Sequence, residues 1–459
     1  MLPEAFVQRI RLQEYLDAEE LIRGLGEPSH AAVRINRSKW HGIPANSDRV
    51  PWCGEGYYLE TRPSFTFDPL FHAGCYYPQE ASGMFMEQVF RQCTGDMKYI
   101  KALDLCGAPG GKSTHLSSLI RNKGFLVANE VIRTRASVLA ENLTKWGVAN
   151  AIVTQNDPSA FRRLPGFFDI MLVDAPCSGE GMFRDRVAVD EWSEENALLC
   201  CERQKRILSD AWPSLKENGI LIYSTCTFNP GENEENLKWL LSGGEAETVR
   251  LDISAYADIT EIDRQGIYGY GFYPGKVRGE GLFIGVVRKT AKTKDAGVRK
   301  PGGTFGSPRR EEIKAALELS EFSEDRFIMH HDEITSSPCS INDHSLLSAI
   351  LKVVKPGTSI CTIRKKKYIP SHELALSVFL RKSVFNTLNL EYPEAIKYLR
   401  RDNINVKDLP RGWQIASYKG MNLGFLNNIG SRMNNYYPVD WRIRMSVQNG
   451  AEQKTLEWK

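Results

Sequence analysis

Three short stretches hold the residue types that chemistry needs. The first, "LDLCGAPGGKST" (103–114), runs from an acid and a thiol through a glycine-rich loop to Lys112. The other two, "DAPCSG" (174–179) and "STCTFNPGENE" (224–234), each place a cysteine, Cys177 or Cys226, just past an apolar run. A glycine-rich loop ending in Gly-Lys-Ser has the outline of a phosphate-cradling P-loop, but the spacing excludes one. That loop needs a glycine, four residues and then Gly-Lys-Ser/Thr, so that backbone N–H groups can wrap a phosphate. Counting back from Gly111-Lys112-Ser113 puts the first glycine at position 106, which is Cys106, and Pro109 removes an N–H donor. The G-x-G-x-x-G spacing of a dinucleotide site is absent as well, because "GAPGGK" does not match it. What remains is a loop of Cys106, Gly107, Ala108, Pro109, Gly110, Gly111 and Lys112, whose glycines let a ligand approach the backbone closely.

The elements around these stretches alternate. "KALDLCG", "GFLVANEV", "AIVTQND", "FDIMLVDAPCSG" and "GILIYSTCT" read as five apolar strands. "GGKSTHLSSLIRN", "RTRASVLAENLTKWGV" and "EENALLCCERQKRILSDAWPSLKENG" read as helices between them. This rhythm predicts a parallel, doubly wound α/β sheet buried between helices, with ligands beyond the carboxyl ends of the strands. Asp104, Cys106, Glu130, Asp157, Asp174, Cys177 and Cys226 all fall at those ends, so the topology gathers them on one rim. A carboxylate after the second strand, Glu130, suits ribose hydroxyls, and Asp157 after the third suits an adenine edge. Without a diphosphate cradle, the adenosyl ligand that fits is S-adenosylmethionine. A cysteine at a strand's carboxyl end beside polar residues is a nucleophile candidate. The remaining thiols, such as Cys53, Cys93, Cys200, Cys201 and Cys361, read as small buried residues.

Composition sets the outer bounds. The chain has 459 residues, 42% hydrophobic and 25% charged, which is ordinary for globular proteins. No run is apolar enough to span a membrane, and the amino terminus is charged throughout, so a cytoplasmic location is expected. The ten cysteines include no C-x-x-C pair and no histidine pair sits at ligand spacing, so no metal site is expected. Residues 351–459 carry 19 Lys+Arg against 8 Asp+Glu, whereas the first 350 carry 40 against 48. A basic last quarter on a nearly neutral chain points to a polyanionic partner. The expected divisions are an N-terminal α/β domain over 1–75, the parallel-sheet domain over 76–288, a linker over 289–325 rich in Gly, Pro and Lys, and a basic region over 326–459. Nothing indicates an obligate oligomer, so a monomer is expected.

"CGAPGGK", "VDAPCSGEGMFR", "RQKRIL" and "YSTCTFNPGENE" together resemble the Nol–Nop–Sun family of RNA cytosine-C5 methyltransferases. "YYPQEASGMF" upstream and "GFLNNIGSRMNNYYP" downstream resemble the bacterial RsmF-type 16S rRNA enzymes within it. The core resemblance spans about 76–288, and the "CGA" of the loop stands where the family commonly has "CAA". The resemblance implies a Rossmann-like methyltransferase core, a C-terminal PUA-like RNA-binding module, S-adenosylmethionine as cofactor, and rRNA or the small ribosomal subunit as partner. It implies that Cys226 attacks cytosine C6, that Cys177 assists release of the methylated RNA, and that Asp174 stabilises charge on the ring. Lys112 or the cationic sulfonium would lower the thiol pKa. Cofactor contacts carry over to Cys106 through Lys112, Glu130, Asp157 and Asp174, with Arg135 as a further contact. In the basic region, Arg432, Asn434, Asn435, Lys365, Lys366 and Lys367 are the expected RNA contacts, with Trp413, Tyr436, Tyr437 and Trp441 interleaved. Methylation of tRNA or 23S rRNA, and a non-catalytic RNA-binding assembly factor, are the alternative readings.

Overall fold

A computed structural model describes residues 2–95, 97–293, 305–365, 367–404, 410–445 and 454–459. Its centre is a ten-stranded mixed sheet. Five strands are parallel: Ile100–Asp104, Gly124–Asn129, Ala151–Thr154, Phe168–Asp174 and Leu215–Thr225. We call them the first to fifth strands; their spatial order is third, second, first, fourth, fifth. The chain therefore reverses its winding between the first and fourth strands, and a crevice opens at their carboxyl ends. Alternate residues face opposite layers. Ala102, Leu126, Ile170 and Ile220 join one buried cluster, and Leu103, Val127, Met171 and Leu221 join the other. Burial on both faces explains why these strands read as continuous apolar runs.

The sheet is not purely parallel, as the strand–helix rhythm led us to expect. Leu282–Lys289 pairs antiparallel with the fifth strand, followed by Ile267–Phe272 and Thr260–Arg264. The last two form a hairpin through Gln265 and Gly266, with φ of 58° and 85°, the geometry of a tight two-residue turn. At the other edge Val353–Lys355, from the C-terminal region, pairs antiparallel with the third strand. Both open edges of the parallel group are thus covered, which a sheet of this length requires.

The helices follow local signals. Arg133–Trp146 ends on Gly147 in the left-handed conformation (φ 75°). Glu194–Ala211 is capped by the Ser193 hydroxyl, which accepts from Asn196 N–H. The helix expected over 78–93 starts later, as a short 3-10 turn at Ser82–Phe85 that continues into Met86–Thr94. Within the stretch expected as a linker, Arg310–Leu319 is a helix, and residues 294–304 lie outside the described residues.

Three smaller antiparallel or mixed sheets surround the centre. An N-terminal sheet holds Ala32–Ile35, Ser47–Arg49, Gly56–Leu59 and Tyr76–Pro78. The basic region holds one sheet of Phe327–His330, Glu333–Ser336, Thr358–Arg364 and Lys367–Pro370, and another of Asn386–Asn389, Gly412–Tyr418, Met421–Asn428 and Met433–Asn435. The last of these shares one core with the N-terminal sheet: Tyr398, Leu423 and Tyr437 pack with Val33, Tyr57 and Tyr76. Among the described residues no helix is long and apolar enough to cross a membrane.

Candidate active site

The first strand ends at Asp104, fully buried, whose Oδ2 accepts from Ser113 Oγ at 2.6 Å. Its Oδ1 is buried without a partner. Burial pushes this carboxyl up to about 7, Ser113 opposing and nearby Asp174 adding to the rise. The loop from Cys106 to Gly111 then turns back into the helix Gly111–Ile120 through Gly110, whose φ of 123° suits only glycine. A Cβ at Gly107 would meet Ser113 Oγ at 2.7 Å, so the second residue of this loop must be glycine for its backbone to lie against the helix. The Cys106 side chain is half-buried against the core beneath the loop, and burial, with carboxylates nearby, pushes its thiol up.

The second strand leads to Glu130, a buried carboxylate that accepts from Ile132 N–H at 3.0 Å. Arg135 lies 3.6 Å from Glu130 and donates to the Ala108 carbonyl at 2.9 Å, so it ties the loop to the second strand end. Asp157 starts a 3-10 turn, accepting from Ser159 N–H at 3.0 Å, and pairs with Arg206 at 3.2 Å. Glu130 is thus tied to the loop, while Asp157 follows the third strand and is bonded by Ser159 and Arg206.

The fourth and fifth strands bring the remaining groups. They run parallel with Asp174 opposite Ser224. Asp174 accepts from Ser224 Oγ at 2.7 Å and pairs with the Lys112 ammonium at 2.8 Å. Burial pulls the Lys112 pKa down, but Asp174 and the Cys226 sulfur beside it hold it above its ordinary value. Beyond the strand ends, Cys177 Sγ and Cys226 Sγ are 3.1 Å apart, both as free thiols, and Cys226 N–H also points to Cys177 Sγ at 3.3 Å. The hydrogen bond to Cys226, together with burial, pushes the Cys177 thiol up. Two thiols, an ammonium and a carboxylate thus converge on the mouth of the crevice, although 49 residues separate the cysteines.

Sequence reasoning passed over the residues that hold these loops. Glu180 and Glu232, both fully buried, and Ser178, Gln204 and Ser224 all bond into them. The signal was the acid inside each quoted motif, "CSGE" and "GENE".

The expected RNA contacts do not form one patch. Arg432, Asn434 and Asn435 line a cleft of about 680 Å³ with Arg401 and Tyr436. Asn435 is a scaffold residue there, donating to Tyr398 O and accepting from Tyr437 N–H, both at 2.8 Å. Lys365 and Lys367 lie at a hairpin of the other C-terminal sheet, and Lys366 lies outside the described residues. The aromatic residues divide likewise. Tyr436 stacks edge-on with Trp413 at 4.5 Å and is exposed. Tyr437 is fully buried and, with Trp441, packs in the core shared with the N-terminal sheet. It supports that junction and offers RNA no surface.

Among the described residues one group, Cys53, Glu87 and His115, has buried ligand atoms close enough to hold a metal. Glu87 already pairs with Arg91 at 2.5 Å and accepts from Gly54 N–H, and buried Arg34 adds positive charge at His115. A divalent cation there would meet two guanidinium groups, so the cluster reads as a packed polar core.

Comparison with known proteins agrees with this geometry. A family model described as 16S rRNA methyltransferase RsmB/F matches residues 96–288. The N-terminal domain of 16S rRNA methyltransferase RsmF matches 2–81, and the methyltransferase RsmF PUA domain matches 385–443. The ribosomal RNA small subunit methyltransferase F of Aliivibrio fischeri (strain ATCC 700601 / ES114) is 29% identical, over 95% of this chain and 97% of that protein. Its counterpart in Klebsiella pneumoniae (strain 342) is 28% identical, over 95% of each. A solved methyltransferase homolog protein from Pyrococcus horikoshii is 28% identical with a TM-score of 0.52, over 62% of this chain and 95% of that one. NSun6 from Pyrococcus horikoshii, solved with SFG, shares the fold at 21% identity and a TM-score of 0.53, over 63% of this chain and 99% of that one. With all three parts matched in order along one chain, this protein belongs to the RsmB/F family of 16S rRNA methyltransferases, in the RsmF form that carries an N-terminal and a PUA domain, and is an enzyme of that class.

Proposed function

We propose that this enzyme methylates C5 of a cytosine in 16S rRNA, with Cys226 as nucleophile, Cys177 as the releasing thiol and S-adenosylmethionine as methyl donor. The observation that carries the reading is the pair of free thiols at 3.1 Å on the carboxyl ends of adjacent parallel strands, with Asp174 and Lys112 beside them. Cytosine C5 is a weak nucleophile. A thiolate adding at C6 makes the ring an enamine and loads C5 with electron density. A cytosine protonated at N3 donates from N3 and from its amino group to the Asp174 carboxylate, and the proton at N3 neutralises the charge the ring gains when the thiolate adds; Lys112 holds Asp174 in place. With Cys226 joined to C6, Cys177 is the neighbouring sulfur, placed to assist loss of the C5 proton and elimination.

The crevice fits the cofactor. Gly107 and Gly110 let the loop fold back against the helices behind it, Glu130 offers a buried carboxylate for ribose hydroxyls, and Asp157, after the third strand, is the candidate for the adenine edge. When bound, S-adenosylmethionine supplies an electrophilic methyl group. Its contacts would be the Cys106–Lys112 loop, Glu130, Asp157 and Asp174, with Arg135 bracing the loop. The substrate cytosine must leave its stack to reach the thiols. The cleft beside Arg432 and Asn434 is where the PUA region would hold the rest of the RNA.

The test uses wild type, Cys226→Ala and Cys177→Ala with labelled S-adenosylmethionine and 16S rRNA or small subunits, read on denaturing gels with 5-methylcytosine mapping. Wild type is expected to methylate, Cys226→Ala to be inactive without a covalent band, and Cys177→Ala to accumulate a covalent RNA–protein band. A trapped band in Cys226→Ala instead would reverse the two roles. Tight RNA binding with no methyl transfer by wild type would favour an assembly factor.

A further inference from the structure

The two cysteine loops touch through more than sulfur. Glu232 and Glu180 are both fully buried, and neither is one of the groups gathered at the crevice mouth. A buried carboxylate is costly unless its oxygens are well bonded, and these are. Glu232 Oε2 accepts from Ser178 N–H at 3.0 Å and Gln204 Nε2 at 2.8 Å, and Oε1 accepts from Ser178 Oγ at 2.5 Å. Gln204 Nε2 also donates to the Pro176 carbonyl at 3.0 Å. Pro176 and Ser178 are the two neighbours of Cys177, so this network clamps the Cys177 backbone on both sides. Ser178 Oγ meets Thr227 Oγ1 at 2.9 Å, next to Cys226.

Glu180 works on the other loop. Its Oε2 accepts from Phe228 N–H at 3.1 Å, two residues past Cys226, and Gly181 N–H donates to the Cys226 carbonyl at 2.9 Å. Its Oε1 accepts from Trp192 Nε1 at 3.0 Å and Arg9 Nη2 at 2.6 Å. The N-terminal helix Glu4–Ile10 thus reaches the nucleophile's loop through one ion pair.

We infer that Glu232 and Glu180 are positioning residues for the two thiols: Glu232 sets Cys177, and Glu180, anchored by Arg9, sets Cys226. This rests on the two-cysteine reading above. The roles separate because each carboxylate bonds the backbone beside a different sulfur. A glutamine at 232 keeps its carbonyl on Ser178 N–H and Gln204 and turns its amide to Ser178 Oγ, which loses its short acceptor and must turn, and so loosens the backbone beside Cys177 more than that beside Cys226. Release then slows more than attack. A glutamine at 180 loosens Phe228 and leaves Arg9 with a neutral partner, so attack itself slows.

The experiment measures kcat, the RNA KM and the covalent fraction on denaturing gels for Glu232→Gln, Glu180→Gln and Arg9→Met, beside wild type and Cys177→Ala. Calorimetric affinity for S-adenosylmethionine and the melting midpoint are recorded for each. Glu232→Gln is expected to lose about 100-fold in kcat with little change in KM or cofactor affinity, and to accumulate the covalent band as Cys177→Ala does. Glu180→Gln and Arg9→Met are expected to lose kcat without accumulating it, and Arg9→Gln with Glu180→Gln to recover part of the rate. Should Glu232→Gln fold poorly, Gln204→Met removes the amide that bonds both the Pro176 carbonyl and Glu232, leaves the Ser178 bonds to Glu232, and is expected to trap the band more weakly. A band in Cys177→Ala with wild-type kcat and no band in Glu232→Gln or Gln204→Met would overturn the inference. No band in Cys177→Ala would instead sink the two-cysteine reading beneath it.

Discussion

Lys112 is the cation of the reacting cluster. It pairs with Asp174 at 2.8 Å and interacts with the Cys226 sulfur. The ammonium holds Asp174 toward the reacting groups, so its removal should slow methylation. In Lys112→Met kcat is expected to fall about 100-fold, measured as methyl transfer from labelled S-adenosylmethionine to 16S rRNA. An unchanged kcat would mean that Asp174 keeps its place without the ammonium. Asp174→Asn tests the partner. It keeps the Ser224 hydrogen bond but loses the charge, and methylation is expected to fall about 100- to 1000-fold, as when one group that stabilises developing charge is removed. Cofactor affinity measured alongside shows whether the loss lies in binding or in the reaction.

At the scale of elements, the cysteine loops depend on close backbone contact as well as hydrogen bonds. Gly181 and Gly281 approach so closely that a Cβ on Gly281 would lie 2.5 Å from Gly181 Cα and 2.3 Å from Phe228 Cζ. Phe228 follows Cys226 in the chain, so a methyl group at 281 pushes on both cysteine loops at once. Gly281→Ala is expected to cost about 1–3 kcal/mol and to lower methylation further than its melting midpoint would suggest. Equal losses of stability and activity would mean that the loops absorb the methyl group elsewhere. Much of this architecture was legible in the sequence because parallel strands buried on both faces leave unbroken apolar runs, and the topology alone puts Asp104, Glu130, Asp174, Cys177 and Cys226 on one rim. The antiparallel additions were not legible. Val353–Lys355 is three residues long and joins the sheet from about 200 residues away, and no local period announces such a pairing. The braces were missed for a related reason. Glu180 and Glu232 look like surface acids in the sequence, and only the fold shows that backbone N–H groups, Arg9 and Gln204 close around them. Tyr437 failed in the opposite sense, since an aromatic residue among basic ones reads as an RNA platform until its burial is known.

At the scale of the whole molecule, the N-terminal sheet and the last C-terminal sheet are joined by a core that holds one buried histidine, His72, and one half-buried, His372. His72 Nε2 lies 2.8 Å from the Thr66 carbonyl and Nδ1 lies 3.2 Å from Tyr437 Oη, an arrangement that suits a neutral ring donating at Nε2 and accepting at Nδ1. His372 packs edge-on against Tyr437 and Trp441, each at 5.2 Å, with both ring nitrogens buried and unpartnered. Burial, with Lys145 nearby, lowers both pKa values to about 3, and Lys39 adds to the effect on His372. An unfolded histidine titrates near 6.5. These are depressed folded values, so the unfolded chain binds more protons between about 3 and 6.5. The stability of the junction is fully present above pH 6.5 and is lost as the pH falls, by about 1.4 kcal/mol per pH unit for each histidine. Asp104, raised to about 7, acts in the opposite direction over much of this range: its contribution is present at low pH and lost as the pH rises through 7. The net slope of wild type therefore mixes the two signs, and a difference between variants isolates one. His372→Leu removes two orphaned nitrogens and one ionisation. Urea unfolding at pH 7.5 and 5.5 is expected to show a smaller drop for His372→Leu than for wild type, by about 1 kcal/mol. Equal drops would mean that His372 titrates alike in the folded and unfolded chain, and so carries a proton in the native state at pH 5.5. The packing of the two sheets around Tyr437 would then have to accommodate a charge beside Lys39 and Lys145.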